Sequence, residues 1–543
     1  MKRGSIAIVL HAHLPYVRHP EHDQFLEEYW FYEAMIECYL PLLRMMRRLT
    51  ADKVQFRLTL SLSPTLLAMM SDDLLIERFD RRLDNLVQLC EKELKSQRKG
   101  PYQQLARFYD RRLRGLRTLF RTGCRRNVIG GFAEIQETGS LEIITSAATH
   151  PFLPFLASSP NSVRAQIAAG LAEYERHFSF KPAGIWLPEC AYFPGVDEVL
   201  AEQGVRYFIV DTHGIEHARP RPKHGVLEPV KLKSGVAAFG RDDASARQVW
   251  SSHEGYPGDY WYREFYRDIA YERDADYIIP HLPGRTPFDT GLKYHRITGG
   301  PDKEPYVRTR AMARTSVHAE HFVMQRVLEL LRSKSAAPVL VAPYDAELFG
   351  HWWFEGPDWL ERVFRIADGR LPTTTLSGYL DRKPKIAKAE LAFSSWGEKG
   401  YGEVWLNPET DWIYPQIHRM SAAMVSVANE HRGTTDDLER RALNQAAREL
   451  MLAQSSDWPF LIRKGGAQHY SKKRVKEHIR NFDRLERAIR KRSIRPGSLQ
   501  KMEDRFRPFP EIDFEVFADP LESGAKPKSK RNHSHRKKAS PHR

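Results

Sequence analysis

Short apolar runs that stop on a histidine or an acid recur along the chain. Ile6–Leu10 stops at His11, Ile185–Leu187 leads into Pro188-Glu189, Tyr207–Val210 stops at Asp211, and Val339–Ala342 leads to Asp345. Runs of this length bounded by polar residues predict buried strands. Phe56–Leu62, Val128–Ile135, Leu141–Thr145, Val236–Phe239 and Thr373–Leu376 read as further strands. Between them the spacing turns helical, over Tyr29–Leu49, Val163–His177, Val196–Gln203 and Ser316–Ser333. Strands alternating with helices predict a parallel α/β sheet or barrel. The stretch Asp72–Phe120 is heavily charged, with Leu, Val and Phe at helical periods, and predicts a helical insertion over about 72–125. Beyond Arg382 the pattern changes to helices alone, Thr434–Ala453 and Val475–Lys491, entered through the aromatic, glycine-rich segment Ser394–Tyr414. The expected organisation is a catalytic barrel over 1–382, a helical C-terminal domain over 383–515 and a basic, disordered tail over 520–543.

With 543 residues the chain can bury a large core. No apolar run approaches the roughly 18 residues of a membrane span. The apolar run after Met1-Lys2-Arg3 is also too short for a signal-peptide core. The expectation is a cytoplasmic protein. Cys38, Cys90, Cys124 and Cys190 are widely spaced and read as reduced, buried thiols. The net charge of +15 does not point to nucleic acid, because the tail from Leu521 holds eight Lys/Arg against one Glu and so carries +7 of it. No nucleic-acid module accompanies the charge.

Glu189 and Asp345 are the candidate catalytic groups. Each follows an apolar run and stands among rings, Trp186 and Tyr192 for the first, Tyr344, Phe349, Trp352 and Trp353 for the second. Paired carboxylates in an aromatic cleft suit glycosidic bond cleavage. In a βα-barrel the strand C-termini form one rim, where residues remote in sequence meet. Glu347 is an alternative to Asp345. His11 and His13 could form a metal pair with Asp211, His213 and Asp345, or could hydrogen-bond sugar hydroxyls. The tryptophans that recur beside polar loops offer flat faces to sugar rings.

Four motifs then stand in order: His11-Ala12-His13-Leu14-Pro15-Tyr16, Leu141-Glu142-Ile143 with Ala148-Thr149-His150, Trp186–Tyr192, and Tyr344–Trp353. The set resembles glycoside hydrolase family 57, and within it the 1,4-α-glucan branching enzymes. Glu254–Gly258 and Ser455–Phe460 resemble the same subgroup. The resemblance implies an incomplete (β/α)7 barrel with an inserted helical subdomain and a mainly helical C-terminal domain. It implies no metal and no cofactor, Glu189 as nucleophile and Asp345 as acid/base. His11, His13, Trp261, Trp396, Trp405 and Asp457 match sugar-lining positions, with Trp396 and Trp405 as a shield against water. The implied substrate is an α-1,4-glucan such as amylose or glycogen, acted on by a monomer without membrane or nucleic acid. One departure bears on the reaction. The subgroup carries a tyrosine over the active site, expected here around 215–240, and Gly214–Gly240 contains none. An α-glucan hydrolase or a 4-α-glucanotransferase is therefore the alternative, with a metal-dependent barrel hydrolase or a non-catalytic glucan-binding protein further off.

Overall fold

The structure, a computed structural model, describes residues 4–96, 99–251 and 254–520. The basic tail from 521 lies outside the described residues. Nine strands form one sheet: β1 (Ser5–Ala12), β2 (Leu58–Leu62), β3 (Leu141–Ser146), β4 (Gly184–Trp186), β5 (Tyr207–Val210), β6 (Val230–Lys231), β7 (Ala237–Gly240), β8 (Val339–Asp345) and β9 (Ala387–Lys388). Their order is β8-β1-β2-β3-β4-β5-β7-β6-β9. The seven from β8 to β7 run parallel, and only the β6–β7 pair is antiparallel. Among the described residues no ladder joins β8 to β7. A backbone bond from Asp242 N–H to the Val341 carbonyl (2.8 Å) spans the gap. This is the incomplete barrel of seven parallel strands.

The two faces of each strand enter different cores, as the two-residue period of a strand requires. Ile6, Ile8 and Leu10 of β1 pack outward under the helices. Ala7 and Val9 face the barrel axis with Ile144, Trp186, Tyr207, Ile209, Ala237, Phe239, Val339 and Val341. Extending the axial series by one step reaches His11, Ser146, Asp211 and Arg241, and the β8 series reaches Asp345 in two steps, through Pro343. The alternation that fills the barrel with apolar side chains thus puts a polar ring on its C-terminal rim. Register levels part of that ring, because His11 pairs with Asp345 on one side and Ser61 on the other.

Two predicted strands are corrected. Val128–Glu137 is a helix, with Asn127 accepting from the Gly130 N–H at its start. Its apolar positions 128, 129, 132 and 135 fall on one helical face, and two glycines in the run masked that period. Thr373–Leu376 makes one bridge, from Thr373 to Ile6. Thr375 then caps the helix Leu376–Asp381 through the Gly378 N–H, so a β-branched run served as a helix start.

The predicted insertion contains the helices Asp73–Ser96 and Pro101–Thr118. They are laced by Arg114–Glu91 and Arg117–Asp84 ion pairs. The predicted helix over 29–49 is interrupted by a π-helical turn, Met35–Tyr39, a distortion that often marks functional sites. After 410 the described chain is helical, with Ile413–Glu430, Asp437–Ala453 and Gln468–Arg490 among its helices. All four cysteines are buried and unbridged. No helix among the described residues is long and apolar enough to cross a membrane.

Candidate active site

Glu189 stands just beyond β4 on a tight turn. Its backbone is left-handed (φ 60°, ψ 21°), and Cys190 after it has φ 49°. Such conformations in non-glycine residues carry strain and collect at functional sites. The carboxylate is held from both sides. Trp396 Nε1–H donates to Oε2 at 2.9 Å, and the Ser456 hydroxyl donates to Oε1 at 2.8 Å. A backbone bond from Trp396 N–H to the Glu189 carbonyl (3.0 Å) ties the aromatic loop to the same turn.

A chain of hydrogen bonds leads away from Ser456. His150 Nδ1 lies 3.1 Å from Ser456 Oγ, His150 Nε2 lies 3.0 Å from His11 Nε2, and His11 Nδ1 lies 3.0 Å from Ser61 Oγ. Burial drives both histidines well below the ordinary imidazole range, so both are neutral. A neutral imidazole donates from one nitrogen and accepts at the other. With Ser456 donating to an ionised Glu189, each link has only one polarity. His150 Nδ1–H donates to Ser456, His11 Nε2–H donates to His150, and Ser61 donates to His11. Every donor in the chain points toward Glu189, an alignment that strengthens the terminal bond.

His13 belongs to a second, charged unit. Its Nε2 is 3.1 Å from both oxygens of Asp457, and its Nδ1 is 2.9 Å from Ser63 Oγ. Burial opposes its charge, but Asp457 outweighs burial and raises its pKa. Asp457 is lowered despite burial because His13 faces it. This is an imidazolium–carboxylate pair, stacked through His13 on His150 at 3.9 Å between centroids.

Asp345 ends β8 half-buried. Burial pushes its carboxyl up to about 6, against the pull of Arg241 and His13. Burial likewise pushes Glu189 up to about 7, against its hydrogen bonds from Trp396 and Ser456. Glu347 is pushed up to about 7 by burial and by Asp345. The Tyr39 hydroxyl donates to Glu347 Oε1, and the His13 N–H reaches the same oxygen at 3.4 Å. The π-helical turn thus seats the loop after β8. Cys38 contacts the Ala346 carbonyl at 2.9 Å, and Glu37 holds His351 Nδ1 at 2.8 Å.

The structure therefore gathers Glu189, His11 and Trp396 into one hydrogen-bonded cluster and stacks the His13–Asp457 pair against it through His150, and His13 acts on Asp345 as well. Two expected residues lie elsewhere. Trp405 is 1% exposed, stacked on Phe152 at 4.4 Å. It packs with Phe152, Ala191 and Val404 beneath the Trp396 loop, so it props that loop and does not face solvent as a shield. Trp261 is held by Arg310 and Arg296, at 4.3 and 5.1 Å, and by Tyr260. Its described contacts include no member of the Glu189 cluster. The imagined metal set does not converge either. His11 and His13 are each occupied at both nitrogens, and Asp211 pairs with Arg241 and His213. His150, Ser456, Ser61 and Arg241 were not singled out from sequence. Ser456 and His150 lay within noted motifs, but only the fold turns them toward Glu189.

The model of glycosyl hydrolase family 57 matches residues 7–343.

The chain belongs to glycosyl hydrolase family 57.

A second family model, 1,4-alpha-glucan branching enzyme, C-terminal, matches residues 416–517. The family 57 chain is 37% identical to the 1,4-alpha-glucan branching enzyme TK1436 of Thermococcus kodakarensis, over 93% of this chain and 77% of that protein. Among solved structures it is similar to the alpha-amylase AmyC from Thermotoga maritima, at 41% identity and a TM-score of 0.89, covering 96% of this chain and all of that one. It is also similar to the GH57-type branching enzyme from Pyrococcus horikoshii, at 35% identity and a TM-score of 0.86, covering 96% and 98%.

Proposed function

We propose that the protein is a 1,4-α-glucan branching enzyme of family 57, and that Glu189 and Asp345 carry its chemistry. The observation that bears most weight is the pair of donors, Trp396 and Ser456, fixed on the two oxygens of Glu189. They hold an ionised carboxylate in one orientation on a strained turn, as a nucleophile needs. Among the described residues Asp345 accepts no comparable pair of bonds, and it ends β8, four strands along the sheet from the β4 that leads to Glu189.

Protonated Asp345 gives its proton to the glycosidic oxygen of an α-1,4 bond while Glu189 attacks the anomeric carbon. The leaving chain departs with that proton, and a glycosyl ester on Glu189 remains. Asp345, now a base, takes the proton of a 6-hydroxyl on a second chain, whose oxygen displaces Glu189. The product is an α-1,6 branch of retained configuration. This reading includes glycogen-type synthesis by a monomer in the cytoplasm.

A second reading, α-glucan hydrolysis, has two observations in its favour. The chain is 41% identical to an alpha-amylase, and no tyrosine lies between residues 214 and 240. The two readings separate cleanly after incubation with amylose, by counting α-1,6 linkages and new reducing ends separately. Branching yields many linkages with few reducing ends. Reducing ends alone would leave hydrolysis as the function.

The reactive form has one proton on the carboxyl pair. Activity is therefore expected to be bell-shaped in pH. It falls above about pH 7 as the last proton leaves and below about pH 6 as both groups hold one. Glu189 holds the single proton more tightly than Asp345, so the arrangement that reacts, with the proton on Asp345, is the minor form of the pair. Removing a donor to ionised Glu189 favours its protonated form. Since Glu189 holds the higher of the two values, Ser456→Ala should move the alkaline limb of kcat/KM upward, and an unmoved limb would disconnect Ser456 from the charge on Glu189.

A further inference from the structure

Trp352 is a large apolar ring that the fold leaves 54% exposed, although its neighbours Trp353 and Trp359 are fully buried. Its exposure is built, not incidental. One face stacks on Phe265, with centroids 4.6 Å apart and planes at 22°. The ammonium of buried Lys293 lies 4.2 Å from the Phe265 ring, and Asp289 fixes that ammonium at 2.6 Å. His351 meets the Trp352 ring edge-on at 5.3 Å, itself fixed by Glu37. The Trp352 N–H donates to the Glu347 carbonyl at 3.1 Å, so the ring is anchored on the loop that begins at Asp345. Tyr266, beside Phe265, is 80% exposed.

We propose that Trp352, backed by Phe265, is a binding platform for an α-1,4-glucan chain running over the Asp345 loop, outside the Glu189 cluster. A rigid ring with one face covered and one face open matches the apolar C–H face of a glucose unit. The surroundings favour a sugar over a protein partner. Arg267 and Glu272 form an exposed ion pair nearby (2.9 Å), and His351 and Tyr266 add polar edges. The apolar ground is thus one or two rings wide, too small and too interrupted for a protein interface. Continuity with the Asp345 loop selects a chain that also enters the cleft. The inference rests on the glucan reading above.

The test uses the full chain with Glu189→Gln, so that glucan is bound without being turned over. Amylose affinity is measured with and without Trp352→Ala, and maltose serves as a ligand too short to span both sites. Loss of one stacked ring should weaken amylose about ten-fold, about 1.4 kcal/mol, and leave maltose unchanged. Trp352→Tyr should recover most of the loss. Equal amylose affinity, or an equal loss for maltose and amylose, would overturn the platform. Should the alanine variant not fold, oxidation of Trp352 in the unsubstituted protein by N-bromosuccinimide gives the same answer. Amylose should protect the ring, and full reactivity in its presence refutes the proposal. The glucan-transfer reading fails separately, if the unsubstituted protein neither cuts nor transfers amylose. Binding at Trp352 is still readable in that case.

Discussion

Glu189→Gln lowers turnover of amylose by at least about a thousand-fold, because the amide cannot attack the anomeric carbon and its NH2 cannot accept the bond that one carboxylate oxygen accepted. Asp345→Asn loses roughly 10²–10⁴-fold, the range of a missing general acid and base. The sharper expectation concerns how each loss is repaired. With Asp345→Ala, an aryl α-glucoside whose leaving group needs no proton should be cleaved again. Added azide should then intercept the glycosyl ester on Glu189 and give an α-glycosyl azide. With Glu189→Ala, azide can occupy the space of the missing carboxylate and attack from that face, giving a β-glycosyl azide. Product anomeric configuration by NMR checks both assignments at once. If the two products exchange, the two roles exchange. If neither variant differs from the unsubstituted protein, neither carboxylate acts in the reaction. The chain from Ser61 through His11 and His150 to Ser456 explains why the amide is so damaging. Its donors are aligned to support a negative charge that glutamine does not carry.

The second large effect is structural. Gly350→Ala should cost about 3 kcal/mol or more and remove activity along with stability. Gly350 has φ +116°, outside the comfortable range of residues with a Cβ. An added Cβ would lie 1.8 Å from the Glu37 carbonyl oxygen and 2.8 Å from its carbon. Both are backbone atoms of the π-helical turn and have no rotamer to give way. Gly433→Ala is the control, since Gly433 also has positive φ (+72°) but nothing within 4 Å of the added carbon. It should cost only the backbone strain, about 1 kcal/mol. Thermal midpoints of the two variants, measured side by side, separate collision from strain. Equal midpoints would show that the loop after Asp345 yields to the turn, contrary to a seat built from Cys38, Glu37 and Tyr39.

Much of this architecture could be read from alternation alone. The axial residues of β1 and β8 repeat every second position; His11 is the next member of the first series, and Asp345 follows Pro343 in the second. Strand ends are legible because the period of two is rigid and burial on both faces leaves few polar choices. The run at Val128 reads as a strand for a related reason. Two central glycines thin the apolar pattern, and only the four spaced positions 128, 129, 132 and 135 betray a helix. The tryptophans show a different limit. Trp396 and Trp405 are nine positions apart and look alike in sequence. One reaches Glu189, and the other lies beneath Gly397, where a Cβ would come within 2.6 Å of its ring. Nothing local distinguishes them, because the difference arises from the approach of Phe152 and Ala191, far away in the chain. The same holds for Ser456. A serine in a polar loop has many uses, and its partner is chosen by helix packing over long range.

The bond between Glu189 and Ser456 joins residues 267 positions apart, and that distance has a meaning during synthesis. At a ribosomal pace of about 5–20 residues per second, Glu189 emerges roughly 15–50 s before Ser456. All seven parallel strands of the barrel precede Ser456 as well, so the sheet can be assembled while Glu189 still lacks its second donor and His13 still lacks Asp457. A nascent chain at that stage carries both carboxylates on a built scaffold, yet cannot hold either unit in its working state. The catalytic potential of the site is switched on by translation of the last quarter of the protein, and a chain truncated before that point would be folded in part and inert.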